Sequence, residues 1–278
     1  MFKKWLLGNQ SLSEVASDND VCRMTLYRRF LKFKRYLMRP KLVSSLDQVI
    51  IIDGAYLGKR DGEKIVVLIA RTKTQVVGWR FASIESAETW VSFLKNIGKP
   101  KLIVCDGQKG MLKAIKTSWD GEVVVQRCLF HIQSRALGLL TRNPTQNEAK
   151  QLRAICRQIC SIDSLERRDW WLDLYFNWKR ENSTFIKQRA EYFHPLKGKL
   201  VSYYIHFKVR AVISLIDNAL PNMFHYLNHP NVPRTTNHLE GGINSRLKEL
   251  IYRHRGLSMR NKLLLASRYL RNRQKPKT

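Results

Sequence analysis

Three carboxylates stand out by their positions in the chain. Asp53 closes the β-branched run QVIIID (48–53), and Asp106 sits at the tip of KLIVCDG (101–107). Glu240 precedes two glycines in RTTNHLEGGINSRLKELIYRHRGLS (234–258), a basic stretch whose one other acid is Glu249. Mg²⁺ takes oxygen ligands and keeps several waters, so two or three carboxylates suffice to hold it. Two such ions roughly 3.5–4 Å apart can activate an attacking oxygen and stabilise a leaving one in phosphodiester displacement. In that setting a lone Glu240 among arginines makes sense: a bound cation offsets its charge while the arginines hold phosphates. An Asp at a strand end is also an ordinary turn former, so no acid decides this alone. Asp61, Glu63, Asp120 and Glu122 are read as turn acids of that kind.

The elements that must position these acids follow from residue periodicity. QVIIID, KIVVLIAR (64–71), QVVGWRFA (75–82), KLIVCDG and EVVVQRC (122–128) read as strands, the second and third forming a hairpin across TKT. SAETWVSFLKNIG (86–98), GMLKAIKTSW (110–119) and LFHIQSRALGLL (129–140) read as helices, giving the order β-β-β-α-β-α-β-α over residues 47–141. Residues 145–232 carry almost no strand signal and are expected to be an all-α insertion. Residues 233–278 then hold one long helix or two, broken at Gly256.

Residues 1–42 are basic and read as two helices across a polar turn, with Leu12, Val15 and Ala16 facing Val21, Leu26 and Phe30. This is the pattern of a helix-turn-helix arm, whose second helix turns Arg23, Thr25, Arg28 and Arg29 outward, as phosphate and guanine contacts require. A basic hairpin that only packs on the next domain is the bland alternative.

The totals support a nucleic-acid partner. Fifty Lys and Arg against 22 Asp and Glu give a formal charge of +28, while 44% apolar residues leave enough for a core. Five cysteines at irregular spacing suggest no disulfide framework and a reducing compartment. The apolar run Trp5-Leu6-Leu7 is too short for a signal peptide, and nothing approaches a membrane span. A cytoplasmic protein with no membrane partner is expected.

The three acid-bearing motifs IIDGAYLG, VCDGQKGMLKAI and TTNHLEGGINSRLKELIYRHRGLS, in this element order, resemble those of DDE transposases. RCLFHIQ (127–133) is similar to the Cys-x-x-His motif of the Mutator-like branch and its bacterial insertion-sequence relatives, where a helical block also separates the second acid from the third. The resemblance covers residues 47–272. It implies a mixed α/β, ribonuclease H-like catalytic core, interrupted by the all-α insertion, with Asp53, Asp106 and Glu240 as ligands of two Mg²⁺ or Mn²⁺ ions. It implies cleavage at transposon ends and joining of the 3′-hydroxyl to target DNA, by a homo-oligomer associated with the bacterial nucleoid. Cys128 and His131 would lie near the active site without being main metal ligands.

Asn237, Arg246, Lys248, Arg253 and Arg255 would contact the DNA backbone, adding salt-sensitive, sequence-independent affinity. Cys156 and Cys160 share a helix face, for which core packing is the bland account, and zinc is not expected. Trp170, Trp171 and Trp178 could stack a flipped base, as in some DDE transposases, although core packing is favoured. The pattern departs at the N-terminus, where relatives often carry a zinc ribbon and a shortened region is expected here. A decayed or domesticated transposase that binds DNA without cutting it is the alternative.

Overall fold

Aliphatic and β-branched runs build the sheet, since such residues pack well on a pleated, buried surface. A computed structural model describes residues 5, 10–33, 40, 48–60, 63–237, 240–254 and 257–274, with the backbone alone at 59, 60, 63, 64, 197 and 240. Strands β1 (Val49–Arg60), β2 (Glu63–Arg71), β3 (Val76–Ala82), β4 (Leu102–Cys105) and β5 (Val124–Arg127) form one sheet in the order β3-β2-β1-β4-β5. β1 is central, and its residues Ile50, Ile51 and Ile52 are fully buried. The strand does not end at Asp53 as the sequence suggests. It runs seven residues further, pairing antiparallel with β2 in a register that sets Asp53 opposite Ile69 and shifts between Tyr56 and Gly58.

The chain divides into two compact units, the first comprising residues 1–103, 108–124 and 236–278 and the second 104–107 and 125–235. In the first, helices α1 (Leu12–Ser17) and α2 (Arg23–Phe33) bury Val15, Ala16, Leu26 and Phe30. Ser11 caps α1 through a capping box with Glu14. Helix α3 (Ala87–Leu94), capped by Ser86, buries Trp90, Phe93 and Leu94. After α4 (Lys109–Ser118), Asp120 takes a positive φ of 52° before Gly121, and Glu122 pairs with Lys99, as turn acids do. Asp61 lies outside the described residues.

The C-terminal stretch of this unit opens with a π-helical turn, Glu240–Asn244, followed by α11 (Ser245–Arg253) and α12 (Met259–Asn272). There are thus two helices after the turn, and the expected break at Gly256 lies outside the described residues. The edge strand β3 is covered by the end of α12: Val76 N donates to Arg273 O at 2.8 Å, and Gln274 Nε2 to Val77 O at 2.9 Å.

In the second unit, α5 (Leu129–Leu139), α6 (Asn147–Arg157), α7 (Leu165–Glu181), α8 (Ser183–Lys187), α9 (Phe207–Asp217) and α10 (His225–Asn228) gather around Trp171 and Tyr175. These two rings stack at 5.6 Å, and Tyr175 Oη donates to Asp217 Oδ1 at 2.8 Å. The all-α expectation for 145–232 is corrected here. Strands β6 (Arg189–His194) and β7 (Lys199–Tyr204) form a separate antiparallel ribbon. No helix among the described residues is long and apolar enough to cross a membrane.

Candidate active site

Asp53 is buried at 7% exposure, so its carboxylate must be held by partners rather than by water. Oδ1 accepts from the Gly54 amide at 2.9 Å, and Oδ2 accepts from Asn244 Nδ2 at 2.7 Å. Asn244 closes the π-helical turn that Glu240 opens, so one hydrogen bond ties the first acid's strand to the third acid's segment. The side chain of Glu240 lies outside the described residues. Asn244 is itself buried, and its Oδ1 accepts no hydrogen bond among them. Buried polar atoms without partners are rare and call for a reason.

Successive residues of a strand face opposite sides of the sheet. Gly54 therefore faces away from the Asp53 side chain, and there the Glu85 carboxylate stands where a Cβ would be, 2.6 Å from that position. The Trp90 indole Nε1 fixes it by donating to Glu85 Oε1 at 3.1 Å. Sequence reasoning missed both Glu85 and Asn244. The glycine after Asp53 was the available signal for the first, since it marks a close approach.

Asp106 belongs to the second unit, just beyond β4. Gly107 follows with φ +79°, and a Cβ there would overlap the Arg127 guanidinium. Arg127 Nη2 donates to Asp106 O at 3.4 Å, so the turn carrying the acid is roofed by a buried cation. Burial pulls the Arg127 guanidinium below its ordinary range, partly offset by Cys105 and Asp106.

Cys128 N donates to Cys105 O at 2.7 Å, and its buried side chain begins α5, with His131 half-buried one turn on. Burial pushes the Cys105 and Cys156 thiols up to about 12 and Cys160 to about 11, the last with a further contribution from Cys128. Cys156 is buried on α6, as core packing requires, whereas Cys160 does not share that helix: α6 ends at Arg157, and Cys160 sits half-buried in the 3₁₀ turn that follows. Among the described residues, no three His, Cys, Asp or Glu are grouped to hold a metal ion.

The expected DNA contacts fall on exposed surface at Arg23, Arg28, Arg29, Asn237, Arg246 and Lys248. Arg253 pairs with Glu249 at 3.6 Å, and Arg255 lies outside the described residues. Of the tryptophans, Trp171 and Trp178 are core, while Trp170 is exposed. No curated protein matches the chain. The family described as "Transposase, Mutator family" matches residues 39–180, just over half the chain, a span that includes Asp53, Asp106, Cys128 and His131.

Proposed function

The chain belongs to the Mutator family of transposases, which implies nuclease- or transferase-type activity in general, and from that premise we propose that it cuts and joins DNA at insertion-sequence ends by DDE chemistry. In this reading the sheet is a ribonuclease H-like core, α1 and α2 are a DNA-binding helix-turn-helix, and Asp53, Asp106 and Glu240 would hold two Mg²⁺ or Mn²⁺ ions. The active complex is a homo-oligomer on double-stranded DNA, because two ends must be processed together, and it works at the bacterial nucleoid.

What carries the reading is the Asn244–Asp53 hydrogen bond, which joins two acid-bearing motifs far apart in sequence. The chemistry of the donors fits a hard cation: carboxylate oxygens, together with the amide oxygen of Asn244, which accepts no hydrogen bond among the described residues. When bound, the ions supply Lewis-acid activation of the attacking oxygen and stabilisation of the leaving one. The chain's own residues do the rest. Asn244 and the Gly54 amide orient the Asp53 carboxylate, Arg127 braces the turn that carries Asp106, and Arg246 and Lys248 hold phosphates.

The decisive comparison uses Asp53→Asn and Asp106→Asn with a duplex of the element's own end. Both are expected to keep DNA affinity in EDTA while losing at least about a thousandfold in Mg²⁺-dependent strand cleavage, the scale of removing a group central to transition-state stabilisation. If the unsubstituted chain itself cuts nothing with Mg²⁺ or Mn²⁺, the protein is a DNA binder without catalysis.

A further inference from the structure

Among the described residues, nothing buries either face of the ribbon β6–β7. Cross-strand partners Phe193 and Leu200 are 60% and 65% exposed, and Tyr192 and Tyr203, on the other face, are each 46% exposed. At the tip, in the short turn Pro195–Lys197, Leu196 is 93% exposed. A two-stranded ribbon standing in water is marginal, and a ribbon meant only for solvent would not carry its apolar residues outward. Its base is braced instead. The Arg189 and Arg210 guanidinium groups lie over the Tyr204 ring at 4.6 and 3.5 Å, Arg189 Nε donates to Ser202 Oγ at 2.8 Å, and Ile205 N donates to Gln188 O at 3.1 Å. The ribbon is thus stiff at the root and bare at the tip.

Its charge indicates what covers it. Residues 187–210 hold six lysines and arginines and one acid, Glu191. A second copy of the same ribbon would meet like charge with like, whereas a polyanion is complementary. A two-stranded ribbon fits a groove of duplex DNA, and apolar side chains can wedge between base steps. The strands and their turn contain no asparagine or glutamine to read adenine, and their one arginine is already engaged. We propose that this ribbon is a sequence-independent wedge for the target duplex. Phe193, Leu196 and Leu200 press into a groove while Lys199 and Lys208 meet the flanking phosphates. The assignment to target DNA rests on the transposase reading above.

The test uses the full chain in EDTA, so catalysis plays no part. Binding is followed by anisotropy on a random-sequence duplex and on the element's end, with 2-aminopurine in the random duplex to report unstacking. Phe193→Ser with Leu200→Ser, and separately Leu196→Asp, change exposed residues and are expected to leave the melting temperature unchanged. Both are expected to bind the random duplex about tenfold more weakly, as loss of a base-stacking side chain does. The 2-aminopurine signal is expected to vanish and affinity for the end to hold. Unchanged random-duplex affinity and signal in both variants overturn the wedge, leaving the transposase reading intact. Equal loss on the end duplex overturns the assignment to target DNA. A dimer that becomes monomer by sedimentation, with DNA affinity retained, assigns the ribbon to a second copy instead. An unsubstituted chain that binds neither duplex removes both readings.

Discussion

Asn244 lies 191 positions from Asp53 in the chain and 2.7 Å from its carboxylate. A hydrogen bond from an amide orients the buried carboxylate that accepts it, and removing the donor loosens that orientation while the Gly54 amide stays in place. Asn244→Ala is therefore expected to lower Mg²⁺-dependent cleavage ten- to a hundredfold, the usual cost of losing a partner that orients a ligand. Single-turnover cleavage checks this, with DNA affinity in EDTA expected to stay level; a parallel fall in affinity would instead make Asn244 a fold residue. Asp53 and Asp106 were legible in the sequence because each sits at or just beyond an apolar run. Asn244 was not, since nothing local distinguishes it from a polar helix residue, and its role depends on a partner on another element. Glu85 was hidden for the same reason, looking like an ordinary acid ahead of a helix.

At the level of elements, the N-terminal arm and α11 meet through rings: Trp5 lies 4.7 Å from His254 and 5.0 Å from Phe30. Burial pulls the His254 imidazole below its ordinary range, with the Arg253 charge adding to the effect. Less proton is then bound by the folded chain than by the unfolded one, whose histidine titrates near 6.5. The contribution to stability is present above that range and is lost as pH falls through it. Melting temperatures of the native chain and of His254→Gln, measured from pH 7.5 to 5, are expected to converge as the pH drops. The strands of the sheet were readable because burial on both faces leaves continuous aliphatic runs. The ribbon β6–β7 was not: RAEYFH and KLVSYY are exposed on both faces, so no apolar–polar alternation marks them. The π-helical turn was likewise unreadable, since glycine pairs fit a loop or a helix start equally well.

For the molecule as a whole, the surplus of 28 positive charges makes DNA affinity a matter of counterion release. Arg246 and Lys248 are exposed on one helix, and replacing both by alanine is expected to make the slope of log K against log salt shallower by roughly 2. A titration of random-sequence duplex between low and physiological salt reads this directly, and an unchanged slope would place the phosphate contacts elsewhere. A second whole-chain consequence hides in the turn Glu240–Asn244, which winds wider than an α-helix and so holds a supernumerary residue. Inserting an alanine after Gly241, where the turn already holds its extra residue, would swing everything downstream by about 100°. Asn244 would leave Asp53, and Leu247, Leu250 and Ile251 would rotate out of the interior they now fill. Gly241→Ala, by contrast, adds a methyl that meets nothing within 4 Å. The lengthened chain is expected to be recovered only as aggregate and the alanine substitution variant as folded protein, so it is the length of this segment, rather than the identity of that glycine, that natural variation would have to preserve.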